Sequence, residues 1–163
     1  MADLFTIGVY GFSIESFLAE LDHAGVNLLC DVRQRRGVRG AEYAWANSQR
    51  LQDALAKAGI AYEHHPELAP TTAMRKAQYA SDDERKIARR ERFDLSPEYV
   101  ASYTSDVLDH ADLESLAKAI RQRGPAALMC VERVPEACHR GLIATRLADR
   151  QGLSVGHLVP LAD

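Results

Sequence analysis

The chain has few cysteines, no long apolar run and almost no charge imbalance, and each shortage removes a class of protein. Three cysteines in 163 residues are too few for the disulfide framework of a small secreted domain, which leaves free thiols, a metal site or a catalytic thiol. No run approaches the roughly 18 apolar residues of a membrane span. The opening MADLFTIGVYG also lacks the basic stretch and cleavage site of a secretory signal. A cytoplasmic protein without membrane contact is expected. Net charge is only −3, so no global basic field draws nucleic acid, and affinity for anions has to come from a local patch. RQRRGVRG, Arg33 to Gly40, is one. Repeats and low-complexity segments are absent as well.

What is there suits one globular domain: 47% of residues are hydrophobic and 26% charged, enough to bury a core at this length. Short apolar runs alternate with amphipathic stretches. Phe5 to Tyr10 predicts a first strand ending at Gly11. Ser13 is an N-cap for a helix whose Ile14, Phe17, Leu18 and Leu21 recur at helical spacing, closed by Gly25. Val26 to Val32 predicts strand two. After the basic loop a helix starts near Ser48 and stops at Gly59, and Ile60 to His65 predicts strand three, ended by Pro66. Asp112 caps another helix, with Leu113, Leu116, Ala117 and Ile120 on one face, which Gly124 and Pro125 end. Ala126 to Glu132 predicts strand four. A further helix begins near Pro135 to Cys138 and stops at Gly152, before a last strand over Ser154 to Val159.

Between strands three and four, Ala69 to Ala111 carries no strand signal. It is rich in charge, with SDDERKIARRER at Ser81 to Arg92, and reads as a helical insertion whose charge run forms a solvated face. Phe93, Tyr99, Tyr103 and Leu108 are the residues that would fold it back onto the core. The expectation is an α/β single domain: a mostly parallel five-stranded sheet with helices on both faces.

Ligands on such sheets bind beyond the carboxyl ends of the strands. Tyr10 and Gly11 follow strand one, Asp31 and Arg33 end strand two, His64 and His65 end strand three, and CVERVPEACHR, Cys130 to Arg140, follows strand four. His64 and His65 point to opposite faces of an extended strand, so at most one faces the site. TIG, YG, GVNLLCDVR, AGIAYEHHPEL and above all CVERVPEACHR resemble the DUF488 family of bacterial and archaeal proteins, from Thr6 to about Leu158. Cys130, Glu132, Pro135, Cys138, His139 and Arg140 match its C-x-E-x-x-P-x-x-C-H-R pattern, and Asp31, Val32 and Arg33 its DVR. Val9, Tyr10, Ala69 and the basic loop depart from it. The resemblance implies an α/β domain with a shared polar site and implies no reaction.

Several chemistries fit these residues. Cys138, His139 and Arg140 stand where a helix begins, and its free N–H groups favour an anion. Tyr10, Gly11, Arg33, His64 and Arg140 are candidate ligand-binding residues, with Arg33 and Arg140 clamping a phosphate or carboxylate. Asp31, Glu132, Cys138 and His139 are candidate catalytic residues, the first two and His139 as acid or base and Cys138 as a nucleophile with a depressed pKa. The bland alternative is an ion-pair network among Asp31, Arg33, Glu132 and Arg140 that only fixes the rim. No metal site is assigned, because seven residues separate Cys130 from Cys138, unlike the short spacing of structural zinc. Cys30 and Cys130 read as core thiols, and the residues leave any cofactor open. The expected partner is an anionic small molecule or a nucleic acid, with homo-oligomerisation left open. Either an enzyme acts on a phosphate-bearing molecule or nucleic-acid end, or a module binds nucleic acid through Arg33 to Arg39 with Tyr43 and Trp45 stacking on bases.

Overall fold

Five apolar runs become strands of four residues each in the computed structural model, which describes residues 2–161. They are β1 (Leu4–Ile7), β2 (Leu28–Asp31), β3 (Ala61–His64), β4 (Ala126–Met129) and β5 (Val155–Leu158). All pair in parallel, in the order β3-β2-β4-β1-β5. The strands are shorter than their apolar runs. At the end of β1 the amides of Val9 and Tyr10 both donate to the Val131 carbonyl, which bends the chain out of the ladder.

Side chains in the strands alternate between two cores, as a period of two requires. In and just past β4, Ala126, Leu128 and Cys130 enter one core, and Ala127 and Met129 the other. α1 (Ile14–His23) and α2 (Ser48–Lys57) cover one face through Phe17, Leu21, Leu51 and Leu55. α4 (Pro97–Asp106), α5 (Leu113–Arg123) and α6 (His139–Gln151) cover the other through Tyr103, Leu116, Ile120, Ile143 and Leu147. The caps fall where the sequence puts them: Ser13 closes a capping box on α1 and Asp112 accepts from the Ser115 amide on α5. A cap is worth about 1 kcal/mol and each buried Leu or Phe about 1.5–3, so the apolar stripes decide where these helices lie.

Between β3 and α5 the chain is helical, with α3 (Thr72–Glu84) and α4 joined through a single turn at Arg89–Glu91. Tyr99, Tyr103 and Leu108 are buried and hold this segment down, whereas Phe93 stays 57% exposed. The charge run departs from a purely solvated face, because Asp82 and Arg92 are buried in it.

From β1 the chain moves through α1 to β2 and on to β3, and from β4 through α6 to β5 on the opposite side. Neighbouring β1 and β4 therefore send their helices to opposite faces, which opens a crevice beyond their carboxyl ends. Gly8 lines the seam tightly. A Cβ there would lie 1.8 Å from the Glu132 carbonyl oxygen and 3.2 Å from Arg140 Nη1, so no larger residue fits without moving backbone.

Candidate functional site

A cleft of about 770 Å³ fills this crevice. Its floor comes from strand ends and the start of α6, with Tyr10, Arg33, Cys130, Val131, Glu132, Cys138 and His139. Its walls come from the basic loop and the helical insertion, with Arg35, Arg39, Arg75, Tyr79, Arg89 and Arg90, while Arg92 of the same insertion is buried into the floor. Tyr10, Arg33, Glu132, Cys138 and His139 thus share one cavity, and Gly11, Asp31, His64 and Arg140 are not among its lining residues.

The groups outside the lining each fix something within it. Asp31 is fully buried and accepts from Arg33 Nε at 2.9 Å, Arg33 Nη2 at 2.8 Å and the Tyr62 hydroxyl at 2.6 Å. The Arg33 fork is thereby spent on Asp31, and its Nη1 donates to the Ala46 carbonyl at 2.9 Å. His64 Nε2 lies 2.9 Å from the Arg33 carbonyl and secures the same turn. His65 bridges Glu63 and Glu67 instead, so neither histidine reaches the cleft. Gly11, at φ +92°, donates its amide to the Tyr43 hydroxyl. That bond sets the turn from which Tyr10 enters the cleft.

Arg140 has no solvent exposure. Its Nη1 donates to the Glu132 carbonyl at 2.7 Å and to Cys130 Sγ at 3.1 Å, and Nη2 reaches the Arg133 carbonyl at 3.4 Å. Nε is buried without a partner. Loss of hydration pulls its pKa down to about 10, which leaves it charged at neutral pH. The charge therefore sits in the floor against sulfur and carbonyls, with no carboxylate in contact among the described residues.

Glu132 finds its counter-charge elsewhere. Arg92, from the insertion, donates through Nη2 to Glu132 at 2.6 Å, through Nη1 to buried Asp82 at 2.8 Å and through Nε to the Ala137 carbonyl at 3.2 Å. One guanidinium thus ties the charge run, the loop after β4 and the turn before α6 together. Arg92 is the residue sequence reasoning missed, since nothing in ARRER marks its last arginine as buried. Tertiary contact across 40 residues makes it so.

Cys138 is the N-cap of α6 and accepts the Arg140 amide on Sγ at 3.4 Å. His139 lies against the Val32 carbonyl, with Nε2 2.7 Å away. A carbonyl only accepts, so Nε2 carries the proton and Nδ1 is a lone pair, 3.6 Å from Cys138 Sγ. Burial lowers the His139 pKa and keeps the ring neutral. The turn at Pro135–Ala137 folds the segment back so that Cys138 meets Cys130, and the two are joined as a disulfide. Linear spacing hides this proximity, and Cys130, a core thiol by its position in an apolar run, belongs to the site. Cys130, Cys138 and His139 are also close enough together to share a metal ion. Cys30 is elsewhere in the core, and burial pushes its thiol up to about 12.

The walls are cationic. Arg35, Arg39, Arg89 and Arg90 are exposed and Arg75 is half-buried, against one carboxylate in the wall lining, Glu91, with Glu42 3.6 Å from Arg90. Arg90 lies 5.0 Å from the rings of both Tyr10 and Tyr43, and Arg89 lies 4.2 Å from Tyr79. Tyr43 and Trp45 pack beneath the basic loop as core residues, so neither presents a face for a base.

A family model described as a domain of unknown function, DUF488, matches residues 13–147. No curated protein and no solved structure matches the chain. No helix among the described residues is long and apolar enough to cross a membrane.

Proposed function

The chain belongs to the DUF488 family, whose description carries no activity, and from the cleft itself we propose that it binds a phosphate-bearing small molecule or nucleic-acid end and acts on it. The observation that carries this reading is the wall of five arginines, four exposed (Arg35, Arg39, Arg89 and Arg90) and one half-buried (Arg75), against Glu91 in the wall and Glu42 beside Arg90 among the described residues. Guanidiniums offer paired donors that suit phosphate oxygens, and a walled cleft strengthens them by excluding part of the solvent. A volume of about 770 Å³ suits a ligand of nucleotide size.

The roles follow from which groups have lone pairs or protons to spare. Glu132, held by Arg92 through one oxygen, keeps lone pairs on the other, 3.3 Å from Cys130 Sγ, and His139 keeps Nδ1. Asp31 is a positioning residue, since Arg33 and Tyr62 occupy its oxygens. Arg33 and Arg140 shape the floor, and recognition of the anion falls to the walls.

Calorimetric titration with inorganic pyrophosphate tests the reading. Binding should weaken about tenfold in Arg39→Ala or Arg89→Ala, the cost of one charge-assisted contact. Absence of pyrophosphate binding, or binding that ignores both substitutions, would remove the proposal. Salt separates the two ligand types. A small ligand held by two or three guanidiniums gives a shallow dependence, and a strand neutralised along the basic loop a steep one.

A further inference from the structure

We propose that Cys130 and Cys138 are a redox-active thiol pair that exchanges with a disulfide substrate bearing phosphate groups. The choice of phosphate rests on the anion-binding reading above; the thiol chemistry stands on separate observations. The first is Arg140, a buried guanidinium with no carboxylate against it among the described residues, whose one contact that can become an anion is Cys130 Sγ at 3.1 Å. A buried charge needs an opposite charge, and the Cys130 thiolate supplies it. Glu132 Oε2 is also 3.3 Å from Cys130 Sγ, but that carboxylate is ion-paired through Oε1 to Arg92, which it shares with Asp82. The second observation is the unprotonated His139 Nδ1 facing Cys138 Sγ, with the opposite nitrogen anchored on Val32. The third is that both sulfurs, although Cys130 and Cys138 are only 1% and 2% exposed, line the floor of the cleft, where the edge of the core meets it.

These contacts assign the two thiols different work. The Cys130 thiolate attacks one sulfur of the substrate R–S–S–R, forms a Cys130–S–S–R bond and releases R–S⁻, which takes a proton from solvent. Cys138 then gives its proton to His139 Nδ1 and attacks the Cys130 sulfur. This closes the Cys130–Cys138 disulfide and releases the second R–S⁻. Two electrons pass from the thiol pair to the substrate, and a cellular dithiol reductant returns them to the protein.

Arg140 also sets the direction. In the dithiol state it faces a thiolate, and in the disulfide state it faces a neutral sulfur and is left without an anion. The reduced form is stabilised relative to the oxidised one, which favours return of the pair to the dithiol by the cellular reductant after each exchange and restricts the substrate to a disulfide that is still more readily reduced; such a pair is not a structural cross-link.

The full chain can be equilibrated in glutathione buffers of graded ratio, with the thiols trapped by alkylation and counted by mass. The pair should titrate within the range such buffers span, and Arg140→Gln should shift the midpoint ratio about tenfold or more toward the disulfide, the loss of one charge-assisted contact. Should Arg140→Gln not fold, Cys138→Ser carries the test alone. That variant should accumulate a mixed disulfide with glutathione on Cys130, and Cys130→Ser should not. Three results overturn the proposal: no intramolecular disulfide at any ratio, a disulfide that no ratio reduces, or a stoichiometric metal ion that protects both thiols. The substrate arm compares the disulfide of 4′-phosphopantetheine with that of pantetheine, which differ only in phosphate. The phosphorylated one should oxidise the pair at least tenfold faster, with the advantage lost at high salt. Equal rates would sink the anion-binding reading while leaving the thiol pair intact, and no exchange with either would sink the pair.

Discussion

The floor and the walls of the cleft are built from the same residue, arginine, and put it to opposite uses. Arg33, Arg92 and Arg140 in the floor are buried, and their donors are directed at Asp31, Asp82, Glu132, a sulfur and carbonyls of the chain. Arg35, Arg39, Arg89 and Arg90 in the walls are exposed, and two of them lie over tyrosine rings. Desolvation makes the difference. A buried guanidinium has to be matched by fixed partners, so it becomes part of the frame, whereas an exposed one keeps donors free for a ligand. Residue type alone therefore does not distinguish a strut from a contact.

The sharpest break in this contrast is Arg92→Ala. It strips the counter-charge from buried Asp82 and from Glu132 together, and unfolding in urea should show about 3–5 kcal/mol lost. A loss below about 1 kcal/mol would mean that the floor arginines resemble the wall. Gly8→Ala probes the seam beneath Arg140 and Glu132. The added methyl meets the Glu132 carbonyl, and thermal unfolding should register about 1–3 kcal/mol from overpacking.

Acid should weaken the floor before the wall. Burial holds the His139 pKa below its ordinary 6.5, so the unfolded chain takes up a proton there at a higher pH than the folded one. Stability contributed by the neutral ring is then complete above about 6.5 and falls as pH drops below it. His157, also lowered by burial, acts in the same sense. Melting temperatures from pH 7.5 to 5 should decline, and His139→Gln, which keeps a donor for the Val32 carbonyl, should flatten the decline. An unchanged slope in that variant would assign the effect to His157 or elsewhere. The smallest effect on stability belongs to the wall: Arg39→Ala should stay within about 0.5 kcal/mol of the parent while losing affinity for pyrophosphate. A large loss of stability there would erase the contrast between the two regions.

The same contrast marks what could be read from the linear chain. Helix positions and caps, such as Ser13, Asp112 and the left-handed Gly152 after α6, follow from contacts between residues three or four apart. The parallel sheet follows from apolar runs alternating with helical stripes. Asp31, Glu132 and His139 were legible as a polar cluster because strand ends in this architecture gather at one edge.

The amino-acid sequence by itself determined the α/β class, the order of elements and the edge of the sheet at which polar groups collect, because periodicity and capping are local and strand direction follows from right-handed crossovers. The tertiary structure alone decided which arginines are buried, that Arg92 reaches Glu132, and that Cys130 meets Cys138 beside His139. Those facts depend on how far a group is removed from water and on which distant carboxylate or sulfur the packing brings to it. Neither is encoded in the spacing of residues along the chain.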